Sequence, residues 1–279
     1  MKNNQMKKNL ITFVTSIRHP DNSNDYELVW KLLENTLISI SSQTNQDFEI
    51  IVVANKILDD FSSHPIIKNI KFIKVGFSAP ITKPNAKIRT GMNVIEIDRG
   101  TKYAIGAVAS QSDNIMFFDA DDFVHKDIVQ YISDHPDFSS YKILKGYAIA
   151  GERFNKNNIF QGCCGTSQIV KTSCLLKHLK GLNINSNQQE IFEVAGDDFV
   201  RKVLGDHHKI CSTFLPCHVI PFRAAVYYLF NGQNHGLSMH WLNELEKSDH
   251  WKGGTNNAEG FLIKNHPEFI SDFNINLLK

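Results

Sequence analysis

No stretch of this sequence approaches the ~18 uninterrupted apolar residues that a membrane-spanning helix needs. The apolar run at residues 10–14 is also too short for a signal-peptide core, and Arg18 follows it closely, so a cytoplasmic chain is expected. Cysteine is sparse and odd in number. Cys163, Cys164, Cys174, Cys211 and Cys217 are irregularly spaced, which suits reduced thiols better than a disulfide framework. One-sided charge is missing as well: 30 Lys+Arg less 29 Asp+Glu leaves +1. That removes any general pull toward nucleic acid, and leaves at most a local, peripheral contact with a membrane surface. There is no low-complexity segment, no linker and no internal repeat. What the chain does have is apolar material, 42% hydrophobic against 21% charged residues, which excludes disorder and can fill a core.

The order of elements follows from the apolar pattern. Residues 10–16 (LITFVTS) and 48–54 (FEIIVVA) are continuous apolar runs, as expected of parallel strands covered on both faces. Between them Val29, Leu33, Leu37 and Ile40 recur at three- and four-residue steps, one stripe of a helix. A weaker strand is expected at 71–75. Residues 78–100, with two prolines and two glycines, read mostly as loop, followed by a helix at 101–111. Residues 114–118 (NIMFF) form another buried strand, 125–133 a helix and 141–149 a strand. Strand and helix alternate, which points to βαβ units and an α/β fold with a mostly parallel sheet flanked by helices. The chain divides into residues 1–231, the folded domain, and residues 232–279, an irregular extension expected to pack on or cover the active site.

The strand at 114–118 runs directly into Asp119-Ala120-Asp121-Asp122. Crowded carboxylates repel one another unless a cation sits among them, and open α/β sheets bind ligands outside the carboxyl ends of their strands. A hard divalent ion, Mn²⁺ or Mg²⁺, bridging these carboxylates to phosphate oxygens meets both conditions; a solvated Asp-rich turn or a helix cap is the plain alternative.

Residues 102–122, KYAIGAVASQSDNIMFFDADD, resemble the core of the GT-A fold nucleotide-sugar glycosyltransferases, family 2 in particular. Residues 37–55, LISISSQTNQDFEIIVVAN, are similar to that family's first helix and second strand, and the resemblance extends over roughly residues 10–240. It implies a transferase that moves a sugar from a nucleotide diphosphate, most commonly UDP, to a carbohydrate or lipid-linked glycan acceptor, with inversion, in settings such as bacterial surface polysaccharide assembly. It implies Asp121, Asp119 and Asp122 at the metal, and Thr15, Arg18, Asn55, Lys102, Asp119, Gly162 and Gly165 around the nucleotide sugar. Two positions depart from the family pattern. Lys102-Tyr103-Ala104 stands where Ala-Arg-Asn is usual, and Asn55 replaces an acidic residue after the second strand.

Three further segments carry candidates. Gly162-Cys163-Cys164-Gly165-Thr166-Ser167 resembles the family's donor-lining glycine loop, and is otherwise a strand-to-helix turn. Gly196-Asp197-Asp198 opens an expected helix, where acidic residues are stabilising in their own right. The resemblance makes Asp198 the catalytic base, with Asp197 beside it. Late in the chain His235 is the implied metal-binding histidine, with His240 as competitor. His207, His208, Cys211, Cys217 and His218 match no standard zinc spacing, and residues 210–215 between them read as a strand. A sugar-phosphate nucleotidyltransferase is the alternative enzyme, disfavoured because residues 16–24 contain no glycine. A non-catalytic nucleotide-sugar-binding protein is the alternative without chemistry.

Overall fold

The computed structural model describes residues 9–61, 70–79, 88–150, 152–162, 164–206, 209–229, 231 and 261–275. The first apolar run forms β1 (Ile11–Ser16) and the second β2 (Phe48–Ala54), joined by helix α1 (Tyr26–Ser41). Asp25 caps α1, its side chain accepting from the Leu28 amide at 2.9 Å, which satisfies one of the orphan donors of the first turn. Strand β3 (Ile70–Lys74) follows, then α2 (Ile88–Ala109) and β4 (Asn114–Phe118).

These strands pair in parallel in the order β4-β1-β2-β3. The sheet is buried on both faces. Ile50 and Val52 of β2 pack with Trp30, Leu33 and Leu37 of α1, while Ile51 and Val53 pack with Tyr103, Ala104 and Ala107 of α2. Three more strands extend the β4 side: β6 (Ser140–Ile143), β9 (Gln168–Lys171) and β10 (Cys217–Ile220), in the order β10-β6-β9-β4. β9 runs antiparallel to both neighbours, and β10 is parallel to β6. The expected mostly parallel sheet flanked by helices is therefore what this chain forms.

A second sheet was not foreseen. Its order is β12-β8-β7-β11-β5, from β5 (Phe123–Val124), β7 (Gly146–Ala150), β8 (Arg153–Asn157), β11 (Ala225–Leu229) and β12 (Phe261–Leu262). Phe123, Ile149, Phe154 and Val226 pack there with Phe269 and Phe273 of the last helix (Pro267–Phe273). The described part of the extension, residues 261–275, thus completes this second core; residues 232–260 lie outside the described residues.

Three expected elements differ. α2 begins at Ile88, inside the segment read as loop, and runs through Gly100, which lies in close backbone contact with Val200. The single strand expected at 141–149 is two strands in different sheets, β6 and β7, separated at Leu144-Lys145. Residues Ile210–Thr213 are helical, not a strand, with the Cys211 amide bonded to the side chain of buried Gln168 at 2.8 Å.

Candidate active site

β1 lies between β2, which follows it through α1, and β4, which is reached from β3 through α2, so the strand order reverses at β1 and a crevice opens at the carboxyl ends of β1 and β4. Ser16, Arg18 and His19 line this cleft from the end of β1, Asp98 and Arg99 from α2, and Asp119, Ala120 and Asp121 from the end of β4.

The acidic turn is built from both sheets. Tyr103, stacked on Phe117, donates from its hydroxyl to the carbonyl of Phe118, the last residue of β4, at 3.1 Å. The Asp119 amide donates to Thr166 Oγ1 at 2.9 Å, and the same hydroxyl donates to Asp122 Oδ2 at 2.5 Å. Thr36 holds the Ala120 carbonyl at 3.0 Å. Gly165 packs so tightly on Asp119 that a Cβ there would lie 2.2 Å from Oδ2, closer than any side-chain carbon can come. Asn231 donates from Nδ2 to Asp121 Oδ2 at 2.7 Å.

The three carboxylates differ in what they face. Asp119 and Asp121 line the cleft. Asp122 is fully buried and does not: its oxygens accept from Thr166, from the Cys164 thiol at 2.9 Å and from the Tyr228 amide at 3.3 Å. Asp122 therefore shapes the turn. Burial first, then the charge of Asp119, pushes the Asp121 carboxyl up to about 6, while the Asn231 amide and Arg18 pull it back. Asp122 is pushed well above the usual carboxylate range, by burial and then by its two acidic neighbours.

The positive charge beside the acids comes from arginines. Arg99 Nη1 lies 3.5 Å from Asp119 Oδ1, and Nε donates to the Gly205 carbonyl at 2.9 Å. Lys102, expected near the phosphates, is fully buried. Its Nζ donates to the Ile17 carbonyl and to Asp98 Oδ2, both at 2.8 Å, tying α2 to the end of β1. Burial lowers its ammonium below the ordinary lysine range, with Asp98 opposing. Arg99 was missed because it lies in the segment read as loop; the Asp98–Lys102 spacing of four was the available signal for a helix there.

The remaining candidates fall elsewhere. Thr15 is fully buried in the sheet, and the cleft is lined by its neighbour Ser16. Asn55 stands at the end of β2, donating to the Phe77 carbonyl at 2.7 Å, with its Oδ1 buried and unpartnered. Gly162 is exposed, and a Cβ there would meet nothing within 4 Å, so no close approach requires it. Asp197 and Asp198 line a separate depression with His178 and Lys209. Each pairs with a base one turn on: Asp197 with Arg201 at 2.9 Å, Asp198 with Lys202 at 2.7 Å. Lys202 holds exposed Asp198 below the usual carboxylate range. The structure thus does not bring Asp198 to the acidic turn; the pair occupies the start of a helical turn, where acids are favourable without any catalytic role. His235 and His240 lie outside the described residues, as do Cys163, His207 and His208.

Among the described residues, no three His, Cys, Asp or Glu side chains converge on one point that could hold a metal. The pair Asp119 and Asp121 does fit a divalent cation. They are hard oxygen donors on a cleft wall, and their mutual repulsion is only partly relieved by Arg18 and Arg99. Mg²⁺ and Mn²⁺ are commonly held by one or two carboxylates plus phosphate oxygens.

No protein-family model matches the sequence, and no curated protein matches it significantly. Solved structures with a related course of the chain include S. aureus TarS 1-349, with a TM-score of 0.49, 12% identity and coverage of 94% of this chain and 78% of that one. The same fragment in complex with UDP-GlcNAc gives a TM-score of 0.45 at 12% identity, covering 83% and 60%. The glycosyltransferase GlyE of Streptococcus pneumoniae gives 0.41 at 10%, covering 88% and 51%. The chain spans 37% of the longer S. aureus TarS structure.

Proposed function

We propose that this chain is a glycosyltransferase that takes its sugar from a nucleoside diphosphate. The observation that supports this best is the pairing of Asp119 and Asp121 with Arg18 and Arg99 in one cleft at the β1–β4 switch point. Carboxylates alone would repel a diphosphate, and arginines alone would need no acids. Both together suit a diphosphate that arrives with a divalent cation. Asp119 and Asp121 would hold the Mg²⁺ or Mn²⁺, which supplies charge neutralisation of the departing diphosphate.

The chain's own groups then have separate tasks. Arg99, anchored on the Gly205 carbonyl, presents a guanidinium beside Asp119, and Arg18 adds a second, so that charge developing on the leaving oxygen meets fixed cations. Asn231 orients Asp121. Asn55 keeps a buried acceptor at the neighbouring strand end, suited to an N–H on a base edge. In this reading an acceptor hydroxyl displaces the diphosphate directly: the glycosidic bond forms as the bond to the nucleoside diphosphate breaks, with inversion at the anomeric carbon, and the hydroxyl proton passes to water. A carbohydrate or lipid-linked glycan is the acceptor it calls for.

A screen of UDP-, GDP-, CMP- and dTDP-sugars with Mn²⁺ tests the proposal, scoring donor hydrolysis and metal-dependent binding. Turnover of at least one donor is expected. Binding without turnover would leave a nucleotide-sugar-binding protein, and neither would end the proposal.

A further inference from the structure

Asp98 is a cleft residue with one half of its carboxylate accounted for. It sits on α2 one turn before Lys102, is only 7% exposed and lines the cleft beside Arg99 and Asp119. Oδ2 accepts from Lys102 Nζ at 2.8 Å; Oδ1 is buried and has no hydrogen-bond partner. Lys102 is itself fully enclosed and donates also to the Ile17 carbonyl at 2.8 Å, so the ammonium fixes the position of the carboxylate. Buried polar atoms are nearly always paired, and an unpaired carboxylate oxygen on a residue that lines a cleft requires an explanation.

We infer that Asp98 binds ligand directly: Oδ1 accepts a hydrogen bond from an alcohol hydroxyl of the nucleotide sugar. This rests on the glycosyltransferase reading and deepens it. The charge pattern assigns the partner. Arg18 and Arg99 attract the diphosphate, whereas an anionic Asp98 repels it, so Asp98 faces the uncharged, hydroxyl-bearing part of the ligand. Hydroxyl donors to a carboxylate make short, charge-assisted bonds. A site built this way discriminates strongly against a ligand lacking the hydroxyl, because the oxygen then stays buried and unpaired. The hydroxyl can belong to the ribose or to the transferred sugar.

The test is calorimetric titration, with Mn²⁺, of wild type and Asp98→Asn. The ligands are pyrophosphate, the tightest-binding nucleoside diphosphate among UDP, GDP and CDP, its 2′- and 3′-deoxy forms, and the matching nucleotide sugar. Asparagine can still accept from Lys102 while turning a donor, not an acceptor, to the ligand. The variant is expected to bind the hydroxyl-bearing ligand roughly ten- to a hundredfold more weakly, with pyrophosphate unchanged or tighter. If the ribose is the partner, the diphosphate already shows the loss, and a deoxy form binds wild type as weakly as the variant. If the transferred sugar is the partner, only the nucleotide sugar shows it. Equal affinities in both proteins, or an equal loss extending to pyrophosphate, would overturn the inference. Should Asp98→Asn fail to fold, Asp98→Asn/Lys102→Met leaves no unpaired buried charge and faces the same criteria. Failure of wild type to bind any nucleotide would instead overturn the glycosyltransferase reading.

Discussion

Asp121, pushed up to about 6, is destabilising when charged, so the metal-free protein gains stability when it is neutralised. Asp121→Asn should raise the stability of the metal-free protein by on the order of 1–2 kcal/mol at pH 8. The gain should shrink as pH falls through about 6 toward 4, because the wild-type side chain then takes up its own proton. Thermal melts across that range measure it, and transfer activity should be lost in the same variant. A variant less stable than wild type at pH 8 would show that the repulsion is already relieved. Asp198→Asn, in contrast, should lower turnover less than threefold, since Asp198 is exposed, paired with Lys202 and outside the cleft. A loss of a hundredfold or more would return it to the role of general base. That Asp119 and Asp121 lie at a cleft was legible, because open parallel sheets form their crevices at the carboxyl ends of the strands. Asp122 was not separable from them, since nothing in three adjacent acids tells which one is turned inward on Thr166 and Cys164.

Helix α2 shows where local reading stops. Gly91, Gly100 and the prolines before them read as loop by propensity, yet α2 runs 22 residues from Ile88 to Ala109. At Gly100 the helix meets the π-helical turn Phe199–Gly205 backbone to backbone, and a Cβ there would sit 2.1 Å from the Val200 carbonyl oxygen. A hundred residues of sequence separate the two surfaces, so only the folded chain shows why glycine is needed. Gly100→Ala should therefore cost about 1–3 kcal/mol by overpacking, although alanine is the better helix former. Urea unfolding checks the sign. A stabilised variant would mean that the two helices part without penalty. The amphipathic stripe of α1 and the apolar runs of β1 and β2 needed no such distant information, and the structure places them as read.

On the scale of the whole molecule, the larger sheet was legible in its parallel half and the second sheet was not. Its strands are short, two of them only two residues long, and its core is assembled from residues between Phe123 and Phe273. Phe269 stacks on Phe154 with ring centroids 4.0 Å apart and 8° between planes. Phe269→Ala should remove about 3–5 kcal/mol of stability in denaturant titration; a loss under 1 kcal/mol would mean that the last helix is dispensable to this core. The acidic turn joins the two sheets, for Asp119 continues β4 while Asp122 and Asp121 are bonded to Tyr228 and Asn231 at the end of β11. The gap between the two cleft carboxylates is thus set across a seam. Warming that loosens the smaller sheet would spread the jaws of the site while the larger sheet still stands, and catalysis would fade at a lower temperature than the fold.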